Sequence, residues 1–267
     1  MEKNDFFLIA GPCVVESKEL CMLIAEKLCR LAEKYKIPFL FKASFRKDNR
    51  TRFHSFTGIG DQEGLEIIRS VKEHFQIPVT TDIHTPDQAQ MVSDYGIDLI
   101  QIPAFLCRQT SLLKAAAQTG RAVNVKKGQF LAPEQMSFVV EKLMQFGTSK
   151  EKIMVTERGT QFGYKDLVFD VRSIPAMKNL GVPVVMDVTH SVQAPNQEAG
   201  VAGGCPDMIF TMAATALAAG ADALFIETHP APQEALSDGS NMLLLSKMDE
   251  LLQQALAFRN TYLKLYS

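Results

Sequence analysis

The chain has 267 residues, of which 46% are hydrophobic and 22% are charged, with a formal net charge of −2. That length suits one large globular domain, and the balanced charge excludes the basic field by which proteins hold nucleic acid. No run approaches the ~18 unbroken apolar residues of a membrane helix, and the first apolar run is too short for a signal peptide, so we expect a cytoplasmic protein. The five cysteines are odd in number and contain no CxxC pair, which argues against a disulfide framework.

Eight short apolar runs alternate with helical patterns along the chain. The runs are FFLIAG from residue 6, PFLFKAS from 38, PVTTDI from 78, DLIQIP from 98, AVNVKKG from 122, KIMVTER from 152, PVVMDVTH from 183 and ALFIETH from 223. Many are rich in Val, Ile and Leu without strict alternation, which is typical of parallel strands covered on both faces. Helical patterns such as ELCMLIAEKLCRLAEKY and PEQMSFVVEKLMQF separate them, and SKMDELLQQALAFRNTYLKL closes the chain.

Eight strand–helix units in a chain of this length predict a closed barrel rather than an open sheet, since such a barrel takes roughly 250 residues. No G-x-G-x-x-G follows the first strand, which weakens the dinucleotide-binding alternative. We therefore predict an α/β fold, a (β/α)8 TIM barrel, as a single domain over residues 1–267.

Polar residues follow the carboxyl end of each apolar run. In chain order they are Cys13, Lys42, Ser44, Asp82, His84, Gln101, Asn124, Lys126, Lys127, Glu157, Arg158, Asp187, His190, Glu227 and His229. The carboxyl ends of barrel strands form one mouth, so we expect all these side chains to point into it. A scattered solvated surface would not collect its charges at one end of every strand, so the pattern indicates an enzyme.

Four residues are candidate ligands of one metal ion. They are Cys13, His190, Glu227 and Asp238. Thiolate, imidazole and carboxylate together suit a divalent transition ion, with Zn²⁺, Fe²⁺ and Mn²⁺ as the options. The ends of the first and eighth strands meet only if the barrel closes, so the fold and the site support each other. The spacing matches no standard zinc-finger or HExxH motif, and a hydrogen-bonded residue at the rim is the alternative for His190 or Glu227 alone.

Cationic side chains form a second group around the same mouth. They are Lys42, Lys47, Arg50, Lys126 and Arg158. Five cations aimed at one mouth indicate anionic substrates, because the planar fork of Arg grips phosphate and carboxylate. The loop KASFRKDNRTRF adds Asn49 and Thr51, which can hydrogen-bond sugar hydroxyls or phosphate. Nucleic acid is a weak alternative for this loop, since no aromatic stacking platform accompanies it.

A series of motifs gives the chain a family resemblance. In order they are GPC, KASFRKDNR, TTDIH, IQIPAFLCRQT, AVNVKKGQF, TERGTQFGY, DVTHSVQ and ETHPAPQEALSDG. The chain resembles the 3-deoxy-D-manno-octulosonate 8-phosphate (Kdo-8-phosphate) synthases of lipopolysaccharide biosynthesis over nearly its whole length. The resemblance implies a homotetramer of (β/α)8 barrels that condenses phosphoenolpyruvate with arabinose 5-phosphate and releases phosphate.

The resemblance also implies roles for individual residues. The family has a metal-free branch with Asn at the position of Cys13 and a metal-dependent branch with Cys there, and this chain resembles the second. The implied phosphoenolpyruvate site consists of Lys42, Ser44, Lys47, Gln101, Lys126 and Arg158, with the Ala104 amide near the phosphate. The implied sugar-phosphate site consists of Asn49, Arg50 and Thr51, with Arg108 reaching in from a neighbouring subunit. The candidate catalytic residues are Lys47, Asn49, Asp82, His84 and Lys126, with Lys47 as the candidate for proton transfer.

Two departures from the family pattern and two alternative functions accompany this resemblance. The sugar loop reads KDNRTR where the family usually has KANRSS, so Asp48 adds a negative charge beside an anion site, and QAPNQEAGVAGG lacks the PGG form of the metal-dependent branch. The nearest alternative is the related synthase that uses erythrose 4-phosphate, although its sugar loop reads closer to KPRTS. The other is a non-catalytic sugar-phosphate-binding barrel, which would need the cations but not a thiolate metal site.

Overall fold

The computed structural model describes residues 6–50, 52–161, 166–195 and 203–266. In this part of the chain, the barrel is formed by eight parallel strands, β1 to β8, which are Phe7–Gly11, Phe39–Lys42, Val79–Asp82, Leu99–Ile102, Ala122–Lys126, Ile153–Glu157, Val184–Asp187 and Ala223–His229. A two-residue strand, Leu243–Leu244, adds to β8 in parallel. Each strand pairs with the next, and β8 also pairs with β1, so the sheet closes on itself. The predicted (β/α)8 barrel is confirmed, and each of the eight apolar runs contains one strand.

A helix follows each strand and covers the outside of the barrel. Within the described residues, helices α1 to α8 are Lys18–Tyr35, Asp61–Phe75, Pro86–Asp94, Thr110–Gln118, Met136–Gln145, Ser173–Lys178, Ile209–Ala218 and Met248–Tyr266. Ser17 caps α1, since its side chain accepts a hydrogen bond from Leu20 N at 3.1 Å. Pro86 begins α3, where its fixed φ suits the first turn and its missing N–H is not needed. Among these described helices, none has both the length and the apolar character needed to cross a lipid bilayer.

Two apolar layers hold the barrel together. The inner layer fills the barrel itself and consists of Phe7, Ile9, Leu40, Leu99, Met154, Val185, Ala223 and Phe225. The larger outer layer lies between strands and helices and includes Leu28, Ile68 and Leu252, all fully buried. Burial of each such side chain contributes about 1.5–3 kcal/mol. Because strand side chains alternate, Glu227 points to the same interior as Phe225 but nearer the carboxyl end. The inner layer therefore turns from apolar to polar towards the mouth.

Pairing of β1 with β8 brings the first and last strands of the barrel together at the mouth. Gly11 at the end of β1 lies opposite Glu227. A Cβ atom on Gly11 would lie 2.0 Å from the Lys42 carbonyl oxygen, so only glycine allows β1 to lie this close to β2. The Cys13 side chain, two residues further on, is fully buried beside both strands. The strand end thus fixes where the thiol lies.

Asp222 ties the elements at the amino-terminal end of the barrel together. Its carboxylate accepts hydrogen bonds from Val184 N at 2.9 Å and from Lys178 Nζ at 2.5 Å, and Arg259 Nη2 lies 3.6 Å away. These contacts join β7, α6 and α8 to the start of β8. In (β/α)8 barrels this end serves stability, whereas chemistry takes place at the other end.

Asp222→Asn is expected to lower the free energy of unfolding by about 1–3 kcal/mol, because buried donors lose a charged acceptor. Urea unfolding followed by circular dichroism measures the change. Asp170→Asn is the matched control, since its exposed pair with Arg172 contributes little. Equal stability of the Asp222 variant and the control would contradict this role.

Candidate active site at the barrel mouth

A cavity of about 1100 Å³ opens at the carboxyl ends of the strands. Twelve of the residues singled out in the sequence line it: Lys42, Lys47, Asn49, Arg50, Asp82, His84, Gln101, Ala104, Lys126, Arg158, His190 and Asp238. They come from six strand ends and from the loops after β2 and β8. The structure therefore brings residues from distant parts of the sequence into one space, as the barrel topology predicts.

Glu227 is the carboxylate around which the lysines of β2 and its loop gather. Lys42 Nζ lies 2.9 Å from Glu227 Oε1 and also donates to the Cys13 carbonyl at 3.1 Å and to Ser44 Oγ at 3.0 Å. Lys47 Nζ lies 4.0 Å from the same Oε1. Burial by itself would raise the pKa of Glu227, but His190, Lys42 and Lys47 outweigh burial and lower it. Glu227 is thus held as an anion in the barrel interior.

Asp187 links Lys126 to His190. Lys126 Nζ donates to Asp187 Oδ2 at 2.7 Å, and His190 Nδ1 lies 2.7 Å from the same oxygen. Asp187 Oδ1 accepts from the backbone N–H of Thr189 at 3.1 Å and of His190 at 2.8 Å. Lys126 Nζ also lies 3.7 Å from the centre of the Phe225 ring, in cation–π contact. Burial lowers the pKa of Lys126, and Asp187 opposes that shift.

Several polar atoms of the mouth are buried without a hydrogen-bond partner among the described residues. Arg158 Nη2 donates to Gln193 Oε1 at 2.8 Å, but Arg158 Nη1 has no such partner. Gln101 Oε1 and His84 Nδ1 also lack a hydrogen-bond partner among the described residues. The other ring nitrogen of His84, Nε2, lies 3.4 Å from Asp82 Oδ2. Since buried polar groups are rarely left unpaired, these atoms have hydrogen-bonding capacity left for a water or a polar ligand.

Three of the four candidate metal ligands form a tight cluster. The ligand atoms of Cys13, Glu227 and Asp238 all lie within 4.8 Å of one another. His190 lies beside this cluster, with Nε2 3.4 Å from Glu227 Oε2, but is not in the set defined by that mutual distance. Burial raises the pKa of the Cys13 thiol, and the Glu227 carboxylate adds to the increase. A thiol beside two carboxylates favours a cation among them, and these donors fit a divalent transition ion.

The sugar loop after β2 reaches the same cluster. Arg50 donates to Ser237 Oγ, and its Nη1 lies 3.5 Å from Asp238 Oδ1. Ser237 Oγ in turn lies 3.0 Å from Cys13 Sγ. Nothing in the sequence pattern singled out Ser237, which is buried at the centre of these contacts. Thr51, the third residue predicted for the sugar loop, lies outside the described residues, and Asp48 is exposed.

Lys127 and Glu157 do not point into the mouth, contrary to the expectation from the strand ends. Lys127 and Glu157 pair with each other at 3.5 Å behind the strands, because each neighbours an inward-facing residue and side chains alternate. His229 Nδ1 accepts a hydrogen bond from Ala231 N at 3.0 Å. Arg108 is exposed and does not line the mouth of its own barrel.

The fold and the cation-lined mouth are typical of (β/α)8-barrel enzymes of anionic substrates. A sequence model of the DAHP synthetase I family matches residues 2–262, and the chain belongs to this family.

Among curated relatives, several carry the name 2-dehydro-3-deoxyphosphooctonate aldolase. The one from Cyanothece sp. (strain PCC 7425) is 50% identical over 256 residues, which cover 96% of this chain and 93% of the relative. Those from Synechococcus sp. (strain ATCC 27144) and Nitrosococcus oceani are each 48% identical, covering 94% of this chain and 88% and 89% of the relatives. That name is a synonym of Kdo-8-phosphate synthase, so the predicted relationship and the prediction of an enzyme are confirmed.

Glu227→Gln is expected to lower the free energy of unfolding by about 3–5 kcal/mol in metal-free buffer. The variant leaves Lys42 and Lys47 buried beside a neutral amide, and breaking a buried pair costs about that much. Urea unfolding measures the effect, with Glu234→Gln at an exposed position as the control. An unchanged urea midpoint would mean that other negatively charged groups neutralise Lys42 and Lys47.

Proposed function

We propose that the chain condenses phosphoenolpyruvate with D-arabinose 5-phosphate and water, giving 3-deoxy-D-manno-octulosonate 8-phosphate and inorganic phosphate in Kdo biosynthesis. The names of the relatives support this reaction. The structural observation that carries it is one chain of contacts across the mouth, whose members in order are Arg50, Asp238, Cys13, Glu227, His190, Asp187 and Lys126. It has a cation at each end and the candidate metal cluster between them, as two phosphorylated substrates that react in the middle require.

Phosphoenolpyruvate binds at the Lys126 end of this chain. Its phosphate and carboxylate are matched by Lys126, by the open Nη1 of Arg158 and by the Ala104 amide, while Gln101 offers a further polar contact. Lys42 and Ser44 lie below and are already paired with Glu227 and Asp82, so they shape the floor of this half. Lys126 and Arg158 then offset the charge of the phosphate as it leaves.

Arabinose 5-phosphate binds at the Arg50 end, with Asn49 beside it and Thr51 next in the chain. Its phosphate replaces Ser237 and Asp238 as the partner of the Arg50 guanidinium. Its aldehyde then points towards Glu227 and the phosphoenolpyruvate half. The loop thus holds the sugar by its phosphate and leaves the reacting carbon at the centre of the mouth.

The bond changes balance without a further reactant. C3 of phosphoenolpyruvate bonds to the aldehyde carbon, a water oxygen bonds to C2, and the C2–O bond breaks so that phosphate leaves with the electron pair. One proton of the water ends on the new hydroxyl and the other on phosphate. Burial by itself would lower the pKa of Lys47, but the negative charges of Cys13 as a thiolate, Glu227 and Asp82 outweigh burial and raise it, so Lys47 is a protonated donor beside the new hydroxyl. Asp82 orients His84 near the same carbon.

Cys13, Glu227 and Asp238, with His190 alongside, are the residues that would hold a divalent transition ion, Zn²⁺, Fe²⁺ or Mn²⁺. His190 presents Nε2 to the cluster because Asp187 engages Nδ1, which is how second partners orient metal-binding histidines. Such an ion supplies a Lewis acid for the aldehyde or an acidified water.

Assembly completes the site in this proposal. Arg108 is exposed in the segment after β4 and does not line its own barrel's mouth, and Phe105 in the same segment is 60% exposed. In a homotetramer, Arg108 reaches the sugar phosphate of a neighbouring subunit. Phosphoenolpyruvate and pentose phosphates are intracellular metabolites, so the enzyme works in the cytoplasm.

One assay tests the proposed function against its nearest alternative. Purified protein is incubated with phosphoenolpyruvate and either arabinose 5-phosphate or erythrose 4-phosphate, and phosphate release is followed. The four-carbon sugar is shorter by about 1.5 Å, and misplacement of that order costs about 10²-fold in rate. Arabinose 5-phosphate is therefore expected to react at least that much faster. Equal turnover would favour the erythrose 4-phosphate enzyme, and no turnover would favour a binding protein.

Arg50→Ala is expected to raise the KM for arabinose 5-phosphate about ten- to a hundredfold and to change the KM for phosphoenolpyruvate little. Loss of a charge-assisted phosphate contact costs about 1.5–3 kcal/mol. Steady-state kinetics with each substrate varied in turn measures the effect. Arg52→Ala, an exposed cation two residues on, is the control. A rise confined to the KM for phosphoenolpyruvate would mean that phosphoenolpyruvate, and not the sugar phosphate, binds at the Arg50 end.

Cys13→Ala is expected to lose most of the bound metal and of the activity while keeping the fold, because the cluster loses its thiolate. Metal content by plasma mass spectrometry and circular dichroism measure the two effects. A chelator should likewise abolish the activity of the unaltered protein, and added divalent ion should restore it. Cys29→Ala on α1 is the control. Full activity after exhaustive metal removal would place the chain in the metal-free branch.

A further inference from the structure

Lys127 is a fully buried lysine next to the active site that cannot reach a substrate. Its Nζ donates to Thr160 Oγ1 at 3.0 Å, to the Gly128 carbonyl at 3.2 Å and to the Leu131 carbonyl at 3.3 Å. Glu157 Oε1 lies 3.5 Å away. Oxygen atoms therefore surround the Lys127 ammonium and accept its hydrogen bonds, as burial of its charge requires. The proposed reaction makes no direct use of this arrangement.

The partners of Lys127 come from two different loops. Gly128 and Leu131 belong to the loop after β5, whereas Glu157 and Thr160 come from the end of β6 and the loop after it. Backbone hydrogen bonds join the same loops, from Lys127 N to Thr156 O at 2.8 Å and from Gln161 N to Gln129 O at 3.1 Å. Lys127 thus lies at the centre of one unit formed by residues 127–131 and 156–161.

This unit carries the groups that surround phosphoenolpyruvate in the proposed reaction. Lys126 directly precedes it, and Arg158 lies within it, with its backbone N–H donating to Glu157 Oε1 at 2.9 Å. The same oxygen accepts from Gly159 N at 2.6 Å. Gly128 packs beneath Ala104, since a Cβ atom on Gly128 would lie 3.2 Å from the Ala104 carbonyl oxygen. A shift of the unit would move all three phosphoenolpyruvate-binding groups.

We propose that Lys127 is a positioning residue for the phosphoenolpyruvate half of the site, acting through Glu157 and Thr160. This rests on the proposed function, which places phosphoenolpyruvate on Lys126 and Arg158. The sugar half is held differently, since Arg50 contacts Phe56, Ser237 and Asp238. Loss of Lys127 therefore weakens the binding of phosphoenolpyruvate and leaves the binding of the sugar phosphate unchanged.

The test uses Lys127→Met, which keeps the length of the side chain and removes its charge. Its KM for phosphoenolpyruvate is expected to rise about 10- to 100-fold, with the KM for arabinose 5-phosphate nearly unchanged, because small misplacement of binding groups has effects of that order. Amide hydrogen exchange should accelerate in both loops together, which needs no substrate. Thr160→Val, which deletes a single contact, should show the same pattern more weakly and serves if Lys127→Met does not fold.

Lys72→Met is the matched control. Lys72 Nζ also joins two segments, with Asp98 Oδ1 at 2.6 Å and the Gly96 carbonyl at 2.7 Å, but at the amino-terminal end of the barrel. The Lys72→Met variant should have a lower melting temperature and unchanged KM values for both substrates. The proposal is overturned if Lys127→Met and Thr160→Val behave like this control, or if both KM values rise equally. Failure of the unaltered protein to bind phosphoenolpyruvate in calorimetry would instead reject the proposed function. Unchanged amide hydrogen exchange of both loops in Lys127→Met would then reject the positioning role as well.

Discussion

Buried lysines must be matched by buried carboxylates, and this constraint organises the mouth of the barrel. Lys42 of β2 pairs with Glu227 of β8, and Lys126 of β5 pairs with Asp187 of β7. Each pair spans one intervening strand, because inward-facing side chains of alternate strands lie at the same level in a (β/α)8 barrel. Removing one partner from such a pair costs more than the pair contributes, since the other charge is left buried. The charges that serve the reaction are therefore also part of the barrel's packing.

Formation of the cluster depends on closure of the sheet. Gly11 of β1 and Glu227 of β8 are register partners, so the closing strand pair carries the Cys13 thiol to the Glu227 carboxylate. An open sheet would leave these groups at opposite edges. Asp238 completes the cluster from the loop after β8, where it adopts a left-handed φ of 49°, a conformation that Asp tolerates better than most residues. The site thus depends on the pairing of β1 with β8 and on the left-handed backbone conformation of Asp238.

The sequence predicts the fold and the members of the site well, because both follow from local patterns. Apolar runs identify every barrel strand, and polar residues at their ends identify most residues of the mouth. Local pattern does not decide which way a side chain turns after a strand ends, so Lys127 and Glu157 were expected inside and pair behind the strands instead. Nor does it give contacts between loops, and the link from Arg50 through Ser237 to the Cys13 thiol appears only once the chain is folded. The family resemblance names residues, but only the fold shows which of them already have partners.

The balance of charge at the mouth bears on what the site needs to bind. Five cationic side chains, Lys42, Lys47, Arg50, Lys126 and Arg158, face four carboxylates, those of Asp82, Asp187, Glu227 and Asp238. The substrates of the proposed reaction bring two phosphates of about −1.5 to −2 each, together with a carboxylate. Most of the lysine charge is already matched inside the protein, so the side chains alone leave the bound substrates under-neutralised. A divalent cation at Cys13, Glu227 and Asp238 would offset part of that imbalance at the centre of the mouth, since its two positive charges exceed the one proton that the thiol loses on binding it. Charge neutralisation is thus a reason for a metal site here that is independent of any role the ion has in bond making.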